Sequence, residues 1–205
     1  FKTDRGGRSL QARIKRQLKV AEYNKRLKSF TCSKLKDAVI KKQYVKDGRT
    51  RVMYCVPVED IILDKGLFGG FVNAFSSEQL SLGHTIGMDP HSPAWASVYH
   101  HLNKFPNCID MDSANYDKRI PPDVLRKIWE LVCRVVDKLA PDTWDKARKI
   151  QAAKNVFTYM IDYETVYKTR TGNKSGSFMT TIINIIVNIF YMFYAWCINV
   201  NRSWA

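Results

Sequence analysis

The sequence predicts an α+β fold, and three observations carry that reading. Residues Leu125, Ile128, Leu131, Val132, Val135 and Leu139 recur at three and four positions, in a stretch that Pro121-Pro122-Asp123 opens and Pro141 ends. Two short alternating runs, 156–161 and 165–169, flank Asp162-Tyr163-Glu164 and read as a hairpin. A third alternating run, Cys108-Ile109-Asp110-Met111-Asp112, predicts a half-buried strand leading into a polar turn with Asp117. With 205 residues the chain can bury a sizeable core, as one large domain or parts of two.

Taken in order, residues 9–28 predict a basic helix, with Leu10, Ile14, Leu18 and Ala21 on a narrow apolar stripe. Lys34, Lys36, Lys41, Lys42, Lys46, Arg49 and Arg51 then crowd a segment that turns at Gly48 and enters the apolar strand 52–56. A basic hairpin of this kind presents several cations to one phosphate chain, or is a solvated face. Residues 64–75 predict an apolar helix interrupted at Gly69-Gly70. Gly83, Gly87, Asp89-Pro90 and Ser92-Pro93 mark a loop, and 94–102 a short helix. A polar helix is expected over 142–154, after the one that Pro141 ends.

The formal charge is +14, and its distribution is informative. Residues 1–51 hold 17 Lys/Arg against 4 Asp/Glu, whereas the remainder holds 16 against 15. A basic segment on a nearly neutral body points to a polyanion partner, either nucleic acid or an anionic membrane surface. Five scattered cysteines without a C-x-x-C pair favour reduced thiols over a disulfide framework or a zinc site. His100-His101 read as surface residues. No apolar signal segment is visible at the N-terminus. The chain begins with Phe1 and is read as a piece of a longer one.

The chemistry concentrates in two places. Asp112 and Asp117 straddle the expected strand end, where a carboxylate is costly to bury unless a cation or strong donors meet it. A divalent metal at the first and a hydroxyl-bearing substrate at the second would meet that cost; so would a solvated strand terminus with capping acids. Residues 175–201 carry no charge and are long enough to span a bilayer. Ser177, Thr181, Asn184 and Asn188 nevertheless form a polar stripe, with Thr180 beside it, which favours a buried helix facing a polar site. The rival reading is a membrane-anchored basic RNA-binding protein with its span at 175–201.

In their order along the chain, these features resemble the RNA-dependent RNA polymerases of positive-strand, picornavirus-like viruses. The basic segment from Lys36-Asp37 through Arg49-Thr50-Arg51-Val52 resembles motif F. Asp112-Ser113-Ala114-Asn115-Tyr116-Asp117 resembles motif A with its D-x4-D spacing, and Ser175-Gly176, Thr180 and Asn184 match the S-G-x3-T-x3-N pattern of motif B. Gly87-Met88-Asp89-Pro90 also fits the family, and the likeness covers about 33–188.

The resemblance implies a right-hand polymerase fragment of fingers plus incomplete palm, without a thumb. Fingers would occupy 1–67 with the motif F hairpin, palm 68–149 with motif A, a fingers insertion 150–172, and palm again 173–205 with the motif B helix. It implies RNA-templated RNA synthesis by two-metal nucleotidyl transfer, with Asp112 as catalytic residue and ligand of Mg²⁺ (Mn²⁺ as an alternative). Asp117, Asn184 and Thr180 would bind the ribose, and Arg51 and Lys36 the triphosphate. Ser175 and Gly176 would flex with the template. Implied partners are template and product RNA, nucleoside triphosphates and other viral replication proteins, at membrane-associated replication complexes in the host cytoplasm, with no transmembrane segment. Three departures stand out. Lys174 occupies a position where the family usually has Pro, Asp110 adds an acid beside Asp112, and the family's Gly-Asp-Asp turn, expected about thirty residues after motif B, does not occur before Ala205. The fragment alone is therefore expected to be inactive.

Overall fold

Residues 5–23, 29–50 and 52–200 are described by the computed structural model, and within them eight α-helices and four strands follow one another. The basic helix α1 (Arg5–Glu22) buries Leu10 and Ala21 and half-buries Ile14 and Leu18, the expected narrow stripe. Residues 24–28, the expected end of that helix, lie outside the described residues. Strands β1 (Phe30–Leu35) and β2 (Val52–Cys55) pair antiparallel, with Leu35 opposite Val52. Their connection carries the short helix α2 (Lys42–Lys46), and its lysines are exposed.

Helix α3 (Val58–Ser77) runs unbroken through Gly69 and Gly70, against the expected interruption. Each glycine costs about 1 kcal/mol relative to alanine in a helix interior. Burial of Leu63 and Phe68 outweighs that cost; the Phe68 ring meets Trp129 edge-on at 5.4 Å. The glycine- and proline-rich loop then leads to α4 (Ala94–Leu102), at the expected place.

The expected strand at 108–112 does not form. The segment is irregular and exposed, with Ile109 85% and Met111 61% accessible. Alternation supplies the two faces of a strand but not its hydrogen-bond partner, and no strand among the described residues lies alongside. The chain continues directly into α5 (Tyr116–Arg119).

Helix α6 (Pro122–Leu139) starts with proline at its first turn, as expected, but its buried stripe is rotated. Leu125, Ile128, Trp129, Val132, Cys133 and Val136 face inward, while Leu131 and Leu139 are exposed. The large Trp129 ring, packed on Phe68, sets the inward face. Helix α7 (Asp145–Val156) begins three residues later than expected. Asp142 accepts the Trp144 N–H at 2.7 Å and pairs with the buried Arg148 guanidinium at 2.8 Å, which also meets Asp137 at 2.6 Å.

The expected hairpin is β3 (Thr158–Asp162) and β4 (Thr165–Thr169). The sheet is mixed, in the order β2-β1-β3-β4, with β1 and β3 parallel. Helix α8 (Thr180–Asn199) closes the described chain and begins beyond Ser177. Ile182, Ile183 and Val187 of α8 join Phe68, Leu125, Val132 and Val156 in the core. By length and composition α8 is apolar enough to cross a bilayer, yet those three residues are seated in protein.

Polar groups are buried too. Lys154 pairs with Asp60 and donates to Gln17 Oε1 at 2.7 Å, joining α7, α3 and α1. Asp64 is wholly buried, and Asn155 Nδ2 donates to its two oxygens at 3.3 and 3.4 Å. Desolvation outweighs that amide and pushes the carboxyl up to about 7.

The unbroken α3 predicts that Gly70→Ala, at an exposed position where a Cβ meets nothing within 4 Å, raises stability by about 0.4–1 kcal/mol. A higher thermal midpoint checks it. For Asp64, the folded chain holds a proton that the unfolded chain has released between about pH 4 and 7, so this group's contribution to stability falls as pH rises through that window. Asp64→Asn is expected to flatten that slope in urea midpoints measured against pH.

Candidate functional site

One cleft of about 670 Å³ collects residues from four separated parts of the sequence. The β1–β2 hairpin contributes Lys36, Val52, Met53 and Tyr54, and the segment around α5 contributes Ser113 and the run 115–118. Ser175 and Gly176 come from the loop before α8, and Thr180 and Asn184 from its first turns.

Local backbone chemistry explains how these parts meet. Asn115 takes the left-handed conformation (φ 55°) at the start of α5, which asparagine tolerates better than most residues. The Tyr116 hydroxyl then donates to the Asn184 carbonyl at 2.9 Å, and its ring meets Tyr191 edge-on at 6.3 Å. Burial pushes that phenol above its ordinary pKa. The 172–177 loop is stitched to the same segment: Gly172 N–H donates to Ile120 O at 3.1 Å and Asn173 N–H to Asp117 O at 2.7 Å. Gly172 has φ 75°, and a Cβ there would stand 2.8 Å from the Asp117 carbonyl oxygen. At Gly176 a Cβ would stand 2.0 Å from the Tyr54 carbonyl oxygen, so the loop passes β2 where only glycine fits.

The Asn184 side chain is oriented from below. Its Oδ1 accepts from Asn173 Nδ2 at 2.9 Å, and the same amide donates to Thr180 O at 2.8 Å. With Oδ1 engaged by Asn173, Asn184, which lines the cleft, has its NH₂ group left as the donor. The Thr180 hydroxyl meets the Lys174 carbonyl at 2.5 Å and the Ser177 carbonyl at 2.8 Å, so its proton serves the loop while the oxygen can still accept. Cleft charge is mixed: Lys36 and Lys118 stand with Asp117. Tyr54 is raised above its ordinary pKa by burial first, then by Tyr167, Asp117 and Asp162.

Six of the expected site residues therefore share this cleft: Lys36, Asp117, Ser175, Gly176, Thr180 and Asn184. Asp112 does not line it and sits exposed one residue before Ser113. Arg51 lies outside the described residues. The expected polar stripe is divided, since Ser177 precedes α8 and Thr181 and Asn188 are exposed. The core-facing arc of Ile182, Ile183 and Val187 leaves Thr180 and Asn184, four residues apart, as the pair turned to the cleft. Among the described residues no three His, Cys, Asp or Glu side chains gather to hold a metal ion. Asp112 and Asp110 offer hard oxygens, but this donor set does not by itself fit a complete divalent-cation site.

Sequence reasoning passed over Asn173, Tyr116 and Asn155. Asn173 beside Gly172 in a loop signals a special turn, but its amide contact to Asn184 depends on the loop folding back, which no spacing encodes.

Comparison with known proteins gives a consistent answer. The family model for viral RNA-dependent RNA polymerases matches residues 5–203. The chain is 40% identical over 196 residues to the replication polyprotein of Nora virus, covering 96% of this chain and 9% of that protein. It is 26% identical over 155 residues to the genome polyprotein of Human klassevirus 1, covering 75% of this chain and 6% of that protein. Among solved structures, the Sicinivirus 3Dpol RNA dependent RNA polymerase superposes with a TM-score of 0.72 at 24% identity, over 86% of this chain and 36% of that one; this likeness concerns the fold. The chain thus spans under a tenth of these polyproteins and about a third of the solved polymerase. With the α+β fold and the motif residues gathered in one cleft, the match over nearly its whole length means that this chain belongs to the viral RNA-dependent RNA polymerase family.

Proposed function

We propose that this chain forms the nucleotide-selecting part of an enzyme that copies RNA templates from nucleoside triphosphates, in the replication of a picornavirus-like genome. The observation that carries the reading is the meeting, in one cleft, of Lys36, Asp117, Ser175, Gly176, Thr180 and Asn184 from distant segments. Asp117 would accept from a ribose hydroxyl and the Asn184 amide would donate to it, which is the chemistry that tells a ribonucleotide from a deoxyribonucleotide. Lys36 and Arg51 would meet the triphosphate, and the exposed lysines of the hairpin would line the approach of nucleotide or template RNA. Asp112 would contribute one hard oxygen ligand to Mg²⁺, with Mn²⁺ as a substitute, in chemistry that rests on positioning and charge stabilisation.

The division into fingers at 1–67 and 150–172 and palm at 68–149 and 173–205 is supported by the sheet, which unites β1 and β2 from the first fingers piece with β3 and β4 from the second. Product RNA and further replication proteins are the partners this reading implies, at membrane-associated complexes in the host cytoplasm. A membrane-anchored RNA-binding protein is not favoured, because the N-terminal half of α8 supplies Ile182, Ile183 and Val187 to the core.

Two substitutions in a complete polymerase carrying this segment test the reading. Asn184→Ala should lower the ratio of kcat/KM for a nucleoside triphosphate to that for its 2′-deoxy analogue roughly five-fold, the equivalent of one hydrogen bond at about 1 kcal/mol. An unchanged ratio would remove Asn184 from sugar recognition. Gly176→Ala should cut incorporation at least about ten-fold and lower the thermal midpoint as well, because the added Cβ meets the Tyr54 carbonyl oxygen and displaces a loop that carries buried polar partners.

A further inference from the structure

Lys174 is 5% exposed, and its ammonium reaches no carboxylate among the described residues. Its Nζ donates instead to the Asn155 carbonyl at 2.8 Å and stands 3.4 Å from the Val156 carbonyl. These are the last two carbonyls of α7, which have no partner within the helix and lie at the negative end of its dipole. An amphipathic side chain of this length would ordinarily carry its head to water. Burial pulls the ammonium down to about 8, and no charged partner offsets it. A buried lysine kept in that state needs an explanation.

What the lysine holds is the cleft loop. Its own carbonyl accepts from Thr180 Oγ1 and, at 3.1 Å, from the Ser177 N–H. Asn173, the preceding residue, carries the amide that orients Asn184. A second strap runs in parallel: Ser177 Oγ donates to Asn155 Oδ1 at 3.2 Å, while Asn155 Nδ2 reaches back to Asp64. The proline that motif B usually carries at this position has no side-chain donor, so a tether to α7 through this residue belongs to the lysine.

We propose that Lys174 is a positioning residue, which ties the 172–177 loop to the C-terminal carbonyls of α7 and thereby holds Asn173 and Thr180 where they set the Asn184 amide for sugar selection. The proposal rests on the nucleotide-cleft reading above and adds to it the residue that fixes the loop. Lys174→Met keeps the apolar stem and loses the donors, whereas Lys174→Gln retains a neutral donor that can reach a carbonyl.

Both variants are made in a complete polymerase carrying this segment, beside Asn184→Ala. Amide hydrogen exchange should accelerate at least about ten-fold at Gly172, Asn173 and Ser177 in Lys174→Met, with α6 amides unchanged, and Lys174→Gln should fall between that variant and the native enzyme. The preference for ribonucleotide over 2′-deoxyribonucleotide in kcat/KM should fall about five-fold in Lys174→Met. If Lys174→Met loosens the whole fold, so that α6 amides accelerate too, Lys174→Gln carries the same comparison. Unchanged exchange at 172–177 would overturn the tether. Faster exchange with an unchanged sugar preference would show a purely structural lysine and overturn the positioning role. If Asn184→Ala alters the preference and the lysine variants do not, only this proposal falls; if none of them alters it, the nucleotide-cleft reading falls and takes the proposal with it.

Discussion

Between the Tyr54 carbonyl on β2 and the backbone of Gly176 there is no room for a Cβ, which would stand 2.0 Å from the oxygen. Four residues earlier the same loop crosses Asp117 so closely that a Cβ on Gly172 would stand 2.8 Å from its carbonyl oxygen. These two close approaches let residues 172–177 pass between the β1–β2 hairpin and α5, and the cleft follows from them. Lys36 and Tyr54 arrive with the hairpin, and Asp117 with α5. Helix α8 springs from the loop, so the positions of Thr180 and Asn184 are decided before the helix begins. Amide–carbonyl bonds from Gly172 and Asn173 to Ile120 and Asp117 satisfy backbone groups that the crossing would otherwise strand.

Beneath the loop the interior carries several buried polar and charged groups. Asp60 with Lys154, Asp64 with Asn155, and Lys174 with the end of α7 form a band joining α1, α3, α7 and the site loop. Removing any one member leaves a buried group without its partner, at a cost of about 1–3 kcal/mol. An apolar band of equal volume would give comparable stability with less exacting geometry. What the polar version adds is direction: each donor accepts only a narrow range of positions for its partner, and the chain of partners ends on Asn184 through Asn173 and Thr180.

The parts legible in the sequence share a property. The helices 94–102 and 122–139 and the hairpin 158–169 were marked by local signals, namely caps, prolines and periodicity, and they form where those signals stand. Motif spacing located four of the cleft residues, Ser175, Gly176, Thr180 and Asn184, because motif B sits on one loop and helix whose geometry is local; Lys36 and Asp117 came from separate motifs that the fold brings to the same cleft. The failures are non-local. Packing of Trp129 on Phe68 decided which face of α6 turns inward and carried α3 through its glycines. The divided polar stripe has the same cause, since α8 orients by its apolar arc. Asn173 and Asn155 gain meaning only once the loop lies across α7 and α8.

The acidic run 108–112 shows what such signals leave out. Its alternation suggested a half-buried strand, and from burial came the inference that a carboxylate there demands a cation. Burial is the premise that this structure removes: Asp110 and Asp112 are exposed beside Ile109 and Met111 and under no such demand. The functional reading therefore draws its strength from the sugar side of the cleft, where Asp117 and Asn184 are placed by several mutually supporting contacts. A cation would be held weakly by one or two exposed carboxylates, because each must surrender water without further ligands to replace it. Pairing this segment with another strand would change that balance at once, by turning Ile109 and Met111 to one face and aligning Asp110 and Asp112 on the other, where two neighbouring carboxylates face a cation together.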